Sequence, residues 1–130
     1  MNLKQLRKYF ALKPGAYEDF PFDDVTMVIK VGNKMFALIG LDAEPLCINL
    51  KCDPMLAVEL RQLYPAVIPG YHMNKTHWNT VILDGSIPEK IIKKMIDDSY
   101  DLVFKSLTKK VREKILGKLA PPQPSPKEME

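Results

Sequence analysis

The sequence predicts an α+β domain, an antiparallel β-meander sheet with helices packed on it. Two observations carry that prediction. Residues 2–12 and 86–107 repeat apolar side chains at helical spacing, whereas from Ala16 to Lys51 the pattern becomes strand-like and is cut by turn signals. Strands therefore run consecutively instead of alternating with helices, which separates this class from parallel α/β folds. At 130 residues, 46% hydrophobic and 27% charged, the chain has the profile of one globular domain.

The elements follow in order. Leu3, Leu6 and Phe10 share one face of the first helix, with Asn2 as N-cap and Gln5 three residues on, as in a capping box; Pro14-Gly15 ends it. Tyr17 to Phe22 is a short extended piece followed by a turn at 22–25. Thr26–Val31 and Lys34–Leu41 are strands joined by Gly32-Asn33, a pair suited to a primed hairpin turn. Leu46–Lys51 is the next strand, with Leu46, Ile48 and Leu50 facing one way and Cys47, Asn49 and Lys51 the other. Asp53-Pro54 starts a helix to about Tyr64, since the carboxylate can accept first-turn N–H groups and proline at the first helical position loses no bond; Leu56, Leu60 and Leu63 are its expected inner face.

Tyr64 to Leu83, YPAVIPGYHMNKTHWNTVIL, concentrates both histidines, the single tryptophan and a lysine. Pro65 and Pro69 forbid helix there, and Trp78–Leu83 reads as a strand stopped by Asp84-Gly85. Ser86-Ile87-Pro88-Glu89 resembles a second capping box, launching a helix to about Leu107 with Ile91, Ile92, Met95, Ser99, Leu102 and Val103 inward. Leu107, Val111, Ile115 and Leu119 then recur every four residues, against Lys109, Lys110, Arg112, Lys114 and Lys118 elsewhere on the same helix. This basic amphipathic extension, 108–119, is open to three uses: contacting phosphates, binding a partner or membrane surface, or packing on its own domain. The segment APPQPSPKEME, 120–130, is expected to be a disordered tail.

Three segments, LKPGAYEDFPFDDVTMVIKVGNKMFA (12–37), INLKCDP (48–54) and YPAVIPGYHMNKTHWNTVILD (64–84), together with Asp98-Ser99-Tyr100, resemble the MmcQ/YjbR family of small bacterial proteins over about residues 2–107. The resemblance implies a CyaY-like α+β fold and a DNA-binding role through a double-wing arrangement of loops and strands.

For DNA, the candidate contacts are Lys51, Arg61, His72, Asn74, Lys75, His77 and Asn79, with Tyr71 and Trp78 as stacking surfaces. Cationic side chains neutralise phosphates, amides position the duplex and rings stack on bases. The competing structural use is that the asparagines bond loop backbone and Trp78 is core, which leaves Lys75 the better functional candidate. The net charge of +3 permits a polyanion partner without demanding one.

His72 and His77 match no zinc spacing, and the first helix, with Lys4, Arg7 and Lys8, is not an acidic iron-binding face, so no metal or cofactor is expected. No nucleophile elbow, phosphate loop or zincin motif is present, so a non-enzymatic protein is expected. Cys47 and Cys52 are too few for a disulfide framework and are read as reduced and packed. With no apolar run near the ~20 residues that span a bilayer and no h-region in MNLKQLRKYF, a cytoplasmic location is expected. The alternative function is a protein-interaction or small-ligand module, with Tyr71, His72, His77 and Trp78 lining a pocket or patch.

Overall fold

Asn2 and Gln5 satisfy each other's free backbone N–H groups, each side chain accepting from the other's amide at 2.8 Å, and the first helix, α1 (Leu3–Ala11), begins there. The computed structural model describes residues 1–70 and 73–119; the predicted tail, 120–130, lies outside the described residues. After α1 come β1 (Tyr17–Asp19), β2 (Thr26–Val31), β3 (Lys34–Gly40) and β4 (Cys47–Lys51), the expected meander. Gly32 and Asn33 both take positive φ, 56° and 69°, which matches the primed turn between β2 and β3.

Asp53 caps α2 (Pro54–Leu63) by accepting from the Met55 and Leu56 amides. Two strands follow, β5 (Val67–Pro69) and β6 (Trp78–Ile82). The sheet order is β1-β2-β3-β4-β6-β5 with every pairing antiparallel, so the chain leaves β4, crosses through α2 to the outer edge and returns between. β5 has no strand signal in the sequence pattern. It carries a proline, which an edge strand tolerates because its outer row of backbone groups needs no partner.

The long helix α3 (Glu89–Ser106) and α1 cover one face of this sheet. Phe36 joins them, edge-on to Phe10 (centroids 5.8 Å apart) and to Tyr100 (5.3 Å). The Tyr100 hydroxyl donates to the Pro14 carbonyl at 2.5 Å, and the Tyr9 hydroxyl to Asp97 at 2.6 Å, tying both ends of the α1 exit to α3. Phe36 is also the extra residue of a β-bulge, since Ile29 lies opposite Ala37 but Lys30 opposite Met35. The bulge leaves a gap in the β3–β4 ladder that Ser99, fully buried, fills: its hydroxyl donates to the Phe36 carbonyl at 2.5 Å and accepts from the Lys51 amide at 2.9 Å.

Three local expectations are corrected. The Ser86–Glu89 capping box does not form: Ser86 bonds Asp84 through both its amide and its hydroxyl, Ile87 is drawn into the core, and the helix starts only after Pro88, which has no side-chain cap. The buried face of α3 is Ile92, Met95, Ile96, Ser99, Tyr100 and Val103, rotated from the expected stripe so that Leu102 is exposed. In α2 the buried residue is Ala57, Leu56 and Leu60 are half-buried and Leu63 is exposed, because the small Ala57 side chain lets the helix approach β6.

The last helix, α4 (Lys109–Leu119), folds back on its own domain. Val111 and Ile115 pack on the core, with Leu107 and Val111 over Gly32 and Ile115 over Gly15. Neither glycine has room for a larger side chain beneath this helix: a Cβ at Gly32 would lie 2.8 Å from the Leu107 methyls.

Candidate nucleic-acid interface

The pairing register sets which loops share an end of the sheet. Val31 pairs with Lys34, Lys51 with Trp78 and Pro69 with Asn79, so the β2–β3 turn, the end of β4 and the β5–β6 hairpin all lie at one end. At the other end lie the 20–25 loop, the β3–β4 connection and the exit of β6.

Charge is segregated along that axis. The loops of the far end, 20–25, 41–46 and 83–86, contain Asp23, Asp24, Asp42, Glu44 and Asp84 and no lysine or arginine. The hairpin end carries Lys34, Lys51, Lys75 and His77 with one loop carboxylate, the α2 cap Asp53, and α4, with Lys109, Lys110 and Lys114 against Glu113, begins beside Gly32.

The predicted contact residues divide into two groups. Arg61, Asn74 and Asn79 hold the hairpin together. Arg61 Nε donates to Asn79 Oδ1 at 2.7 Å, and its Nη2 donates to the Lys75 carbonyl and, at 3.4 Å, to that of Trp78. Asn79 is 2% exposed and passes the connection on, donating to the Ala57 carbonyl at 3.4 Å. The Asn74 side chain accepts from the Thr76 amide at 2.9 Å, and its carbonyl accepts from the His77 and Trp78 amides, a local turn of the kind asparagine favours. Gly70 lets the two hairpin arms close, since a Cβ there would sit 2.7 Å from the Trp78 Cβ and 2.8 Å from its carbonyl oxygen.

The second group is presented outward. Lys75 and His77 are exposed and Lys51 is half-buried; their side chains make no ion pair among the described residues. By contrast Arg7, Lys13, Lys30 and Lys94 are engaged with Glu18, Asp97, Asp19 and Asp98. Lys51 lies opposite Trp78 on the sheet face away from α3, and Trp78 packs there with Val28 and Leu38, flanked by Met35 and Met73. Trp78 is thus 8% exposed and forms the floor of this end, not a free stacking surface. Tyr71 and His72 lie outside the described residues.

The cysteines take no part. Cys52 is buried, and burial pushes its thiol up to about 11, so the nucleophilic thiolate is disfavoured at neutral pH. Two contributors were not among the expected residues: Lys34, whose signal was its place directly after the Gly32-Asn33 turn, and Ser99, which positions the Lys51 backbone from α3.

No helix among the described residues is long and apolar enough to cross a membrane. The Escherichia coli (strain K12) protein YjbR is 36% identical to this chain over 113 residues, covering 87% of this chain and 96% of its own length. YbdF of Escherichia coli O157:H7 is 39% identical over 116 residues, covering 88% and 94% respectively. Among solved structures, Deinococcus radiodurans protein DR2400 superposes with a TM-score of 0.83 at 42% identity, covering 88% of this chain and 87% of that one. A Pseudomonas syringae protein does so with a TM-score of 0.69 at 32% identity, covering 79% and 99%. With the YjbR family model matching residues 11–102, from the end of α1 to α3, this chain belongs to the YjbR family.

Proposed function

We propose that this protein binds DNA without catalysing a reaction on it, through phosphate contacts at the hairpin end of the sheet. The segregation of charge along the sheet axis carries the proposal. A polyanion is attracted to the end holding Lys34, Lys51, Lys75 and His77 and repelled by the aspartate-rich far end, which orients the encounter as well as strengthening it. Lys51 and Lys75 act as phosphate-neutralising cations, and His77 is a hydrogen-bonding group beside them. Arg61, Asn74 and Asn79 keep the hairpin in the shape that presents these groups. The exposed lysines of α4, Lys109, Lys110 and Lys114, extend the same basic end.

A fluorescence-anisotropy titration of labelled duplex and single-stranded DNA, repeated across a salt series, tests this. The expected result is affinity that falls steeply with salt and depends little on sequence. The Lys51→Ala/Lys75→Ala variant should lower the slope of log K against log salt by about two, one for each phosphate contact removed. Absence of binding at low salt, or an unchanged slope in the variant, would overturn the proposal.

A further inference from the structure

The sheet face away from α1 and α3 carries a second feature, at the acidic end. Between the 20–25 loop and the β3–β4 connection lies a hollow of about 760 Å³, within the roughly 300–1,000 Å³ typical of small-molecule sites. Its apolar lining includes Phe22, Val25, Leu38, Ile68 and Ile82. Phe22 is 63% exposed, Val25 38% and Ile68 37%, a concentration of uncovered apolar surface.

Gly40 forms part of the floor, in register between Thr26 and Cys47. A side chain would fit there: a Cβ would meet only Ala43 at 3.7 Å and Asp42 Oδ1 at 3.8 Å, both ordinary contacts. Gly40 closes β3, and a bare position over open space is the arrangement that lets a ligand approach the backbone.

The charged groups are of one sign. Among the described lining residues there are two carboxylates, Asp23 and Asp42, and no cation. Asp23 accepts from the Val25 and Thr26 amides and from the Thr26 hydroxyl, which holds it as an anion. Asp42 makes no side-chain hydrogen bond or ion pair among the described residues. On the floor, Asn49 Oδ1 is an acceptor already facing the Thr80 hydroxyl at 2.6 Å. Anions and acceptors around an apolar hollow complement a cationic donor on an apolar body, and the Phe22 ring adds a face for a cation.

We infer that the hollow over Gly40 binds a small organic amine, an ammonium group carried on an aromatic or alkyl body, with Asp42 as its counter-ion. The site is separate from the hairpin end and stands whether or not that end binds DNA.

The test is an NMR titration of the full-length protein, following backbone amides, with phenethylamine, its neutral analogue 2-phenylethanol and the anionic 3-phenylpropionate. Expected are saturable shifts confined to residues around the hollow for the amine, at least about fivefold weaker binding of the alcohol, and none of the acid. Asp42→Asn should weaken the amine about fivefold while leaving the alcohol unchanged. Gly40→Leu, which fills the floor, should abolish binding while retaining the native spectrum; if that variant does not fold, Asp42→Asn carries the test. Equal affinity for amine and alcohol, shifts centred elsewhere, insensitivity to Asp42→Asn, or sedimentation showing the hollow covered by a second copy of the chain would each overturn the inference.

Discussion

Replacing Ser99 by alanine should be among the most damaging single-atom deletions in this protein. The Ser99 hydroxyl is fully buried and serves two backbone groups that the β-bulge at Phe36 leaves without ladder partners, the Phe36 carbonyl at 2.5 Å and the Lys51 amide at 2.9 Å. Alanine keeps the packing and removes both bonds. Each buried group left unsatisfied costs about 1–3 kcal/mol. The Lys51 amide lies nearer the surface and falls at the lower end of that range, so the sum is about 2–4 kcal/mol. Against a total stability of roughly 5–15 kcal/mol this is a large fraction. Urea denaturation followed by Trp78 fluorescence and far-UV circular dichroism measures it, and the melting temperature should drop by roughly 8–15 °C. Exposed Ser86, which bonds only Asp84, is the control: Ser86→Ala should change stability by less than about 0.5 kcal/mol. Hydrogen exchange should accelerate at the Lys51 amide specifically. A Ser99→Ala loss under about 0.5 kcal/mol would refute the reasoning, because two buried backbone groups cannot lose their partners at so small a cost.

Three further outcomes are expected. Arg61→Met should cost about 1–3 kcal/mol by stranding Asn79, and adding Asn79→Leu should recover part of that loss in a double-mutant cycle; additive losses would show that the two side chains are not coupled. Gly32→Ala should destabilise by about 1–2 kcal/mol through its positive φ, and its Cβ should also push against Leu107 and Val111; faster amide exchange across 109–117 would report the displaced α4, and unchanged exchange would refute that docking. The Tyr9 and Tyr100 hydroxyls are pushed up to about 12, mainly by burial and, for Tyr9, also by its bond to Asp97. The folded state therefore holds these protons more tightly than the unfolded state, where the ordinary value is 10.0, so stability is full below pH 10 and declines as pH rises from there to about 12. Tyr9→Phe should make that decline shallower in denaturation series from pH 8 to 12, and an identical slope would exclude Tyr9 as a contributor.

The features legible in the sequence are those set by neighbours in the chain. The Asn2–Gln5 capping box, the Gly32-Asn33 turn, the Asp53-Pro54 start and the alternation along β4 depend on the conformational limits of a few adjacent residues, and they appear as read. Competition, whether between rival local bonds or with the tertiary core, decided the rest. Ser86 is a sound cap in isolation, but Asp84 takes both its amide and its hydroxyl, and burial of Ile87 delays the helix by a turn's first residues. At β5 a three-residue strand with a proline carries little pattern of its own, and it exists because β6 offers it an open edge.

The candidate site divides along the same line. That the 64–83 stretch is unusual, and that Lys75 is outward, could be read from composition. That Arg61 and Asn79 turn inward to bind each other, while Lys51 emerges beside the same hairpin, could not, since it depends on Ala57 bringing α2 against β6 and on the β4–β6 register. Charge shows the difference most plainly. Composition alone sets a net charge of +3, too small to specify a partner. Folding sorts those charges, because an antiparallel sheet sends alternate connections to opposite ends: Asp23, Asp24, Asp42, Glu44 and Asp84 fall at one end, while Lys34, Lys51 and Lys75 fall at the other with Asp53 as the carboxylate beside them.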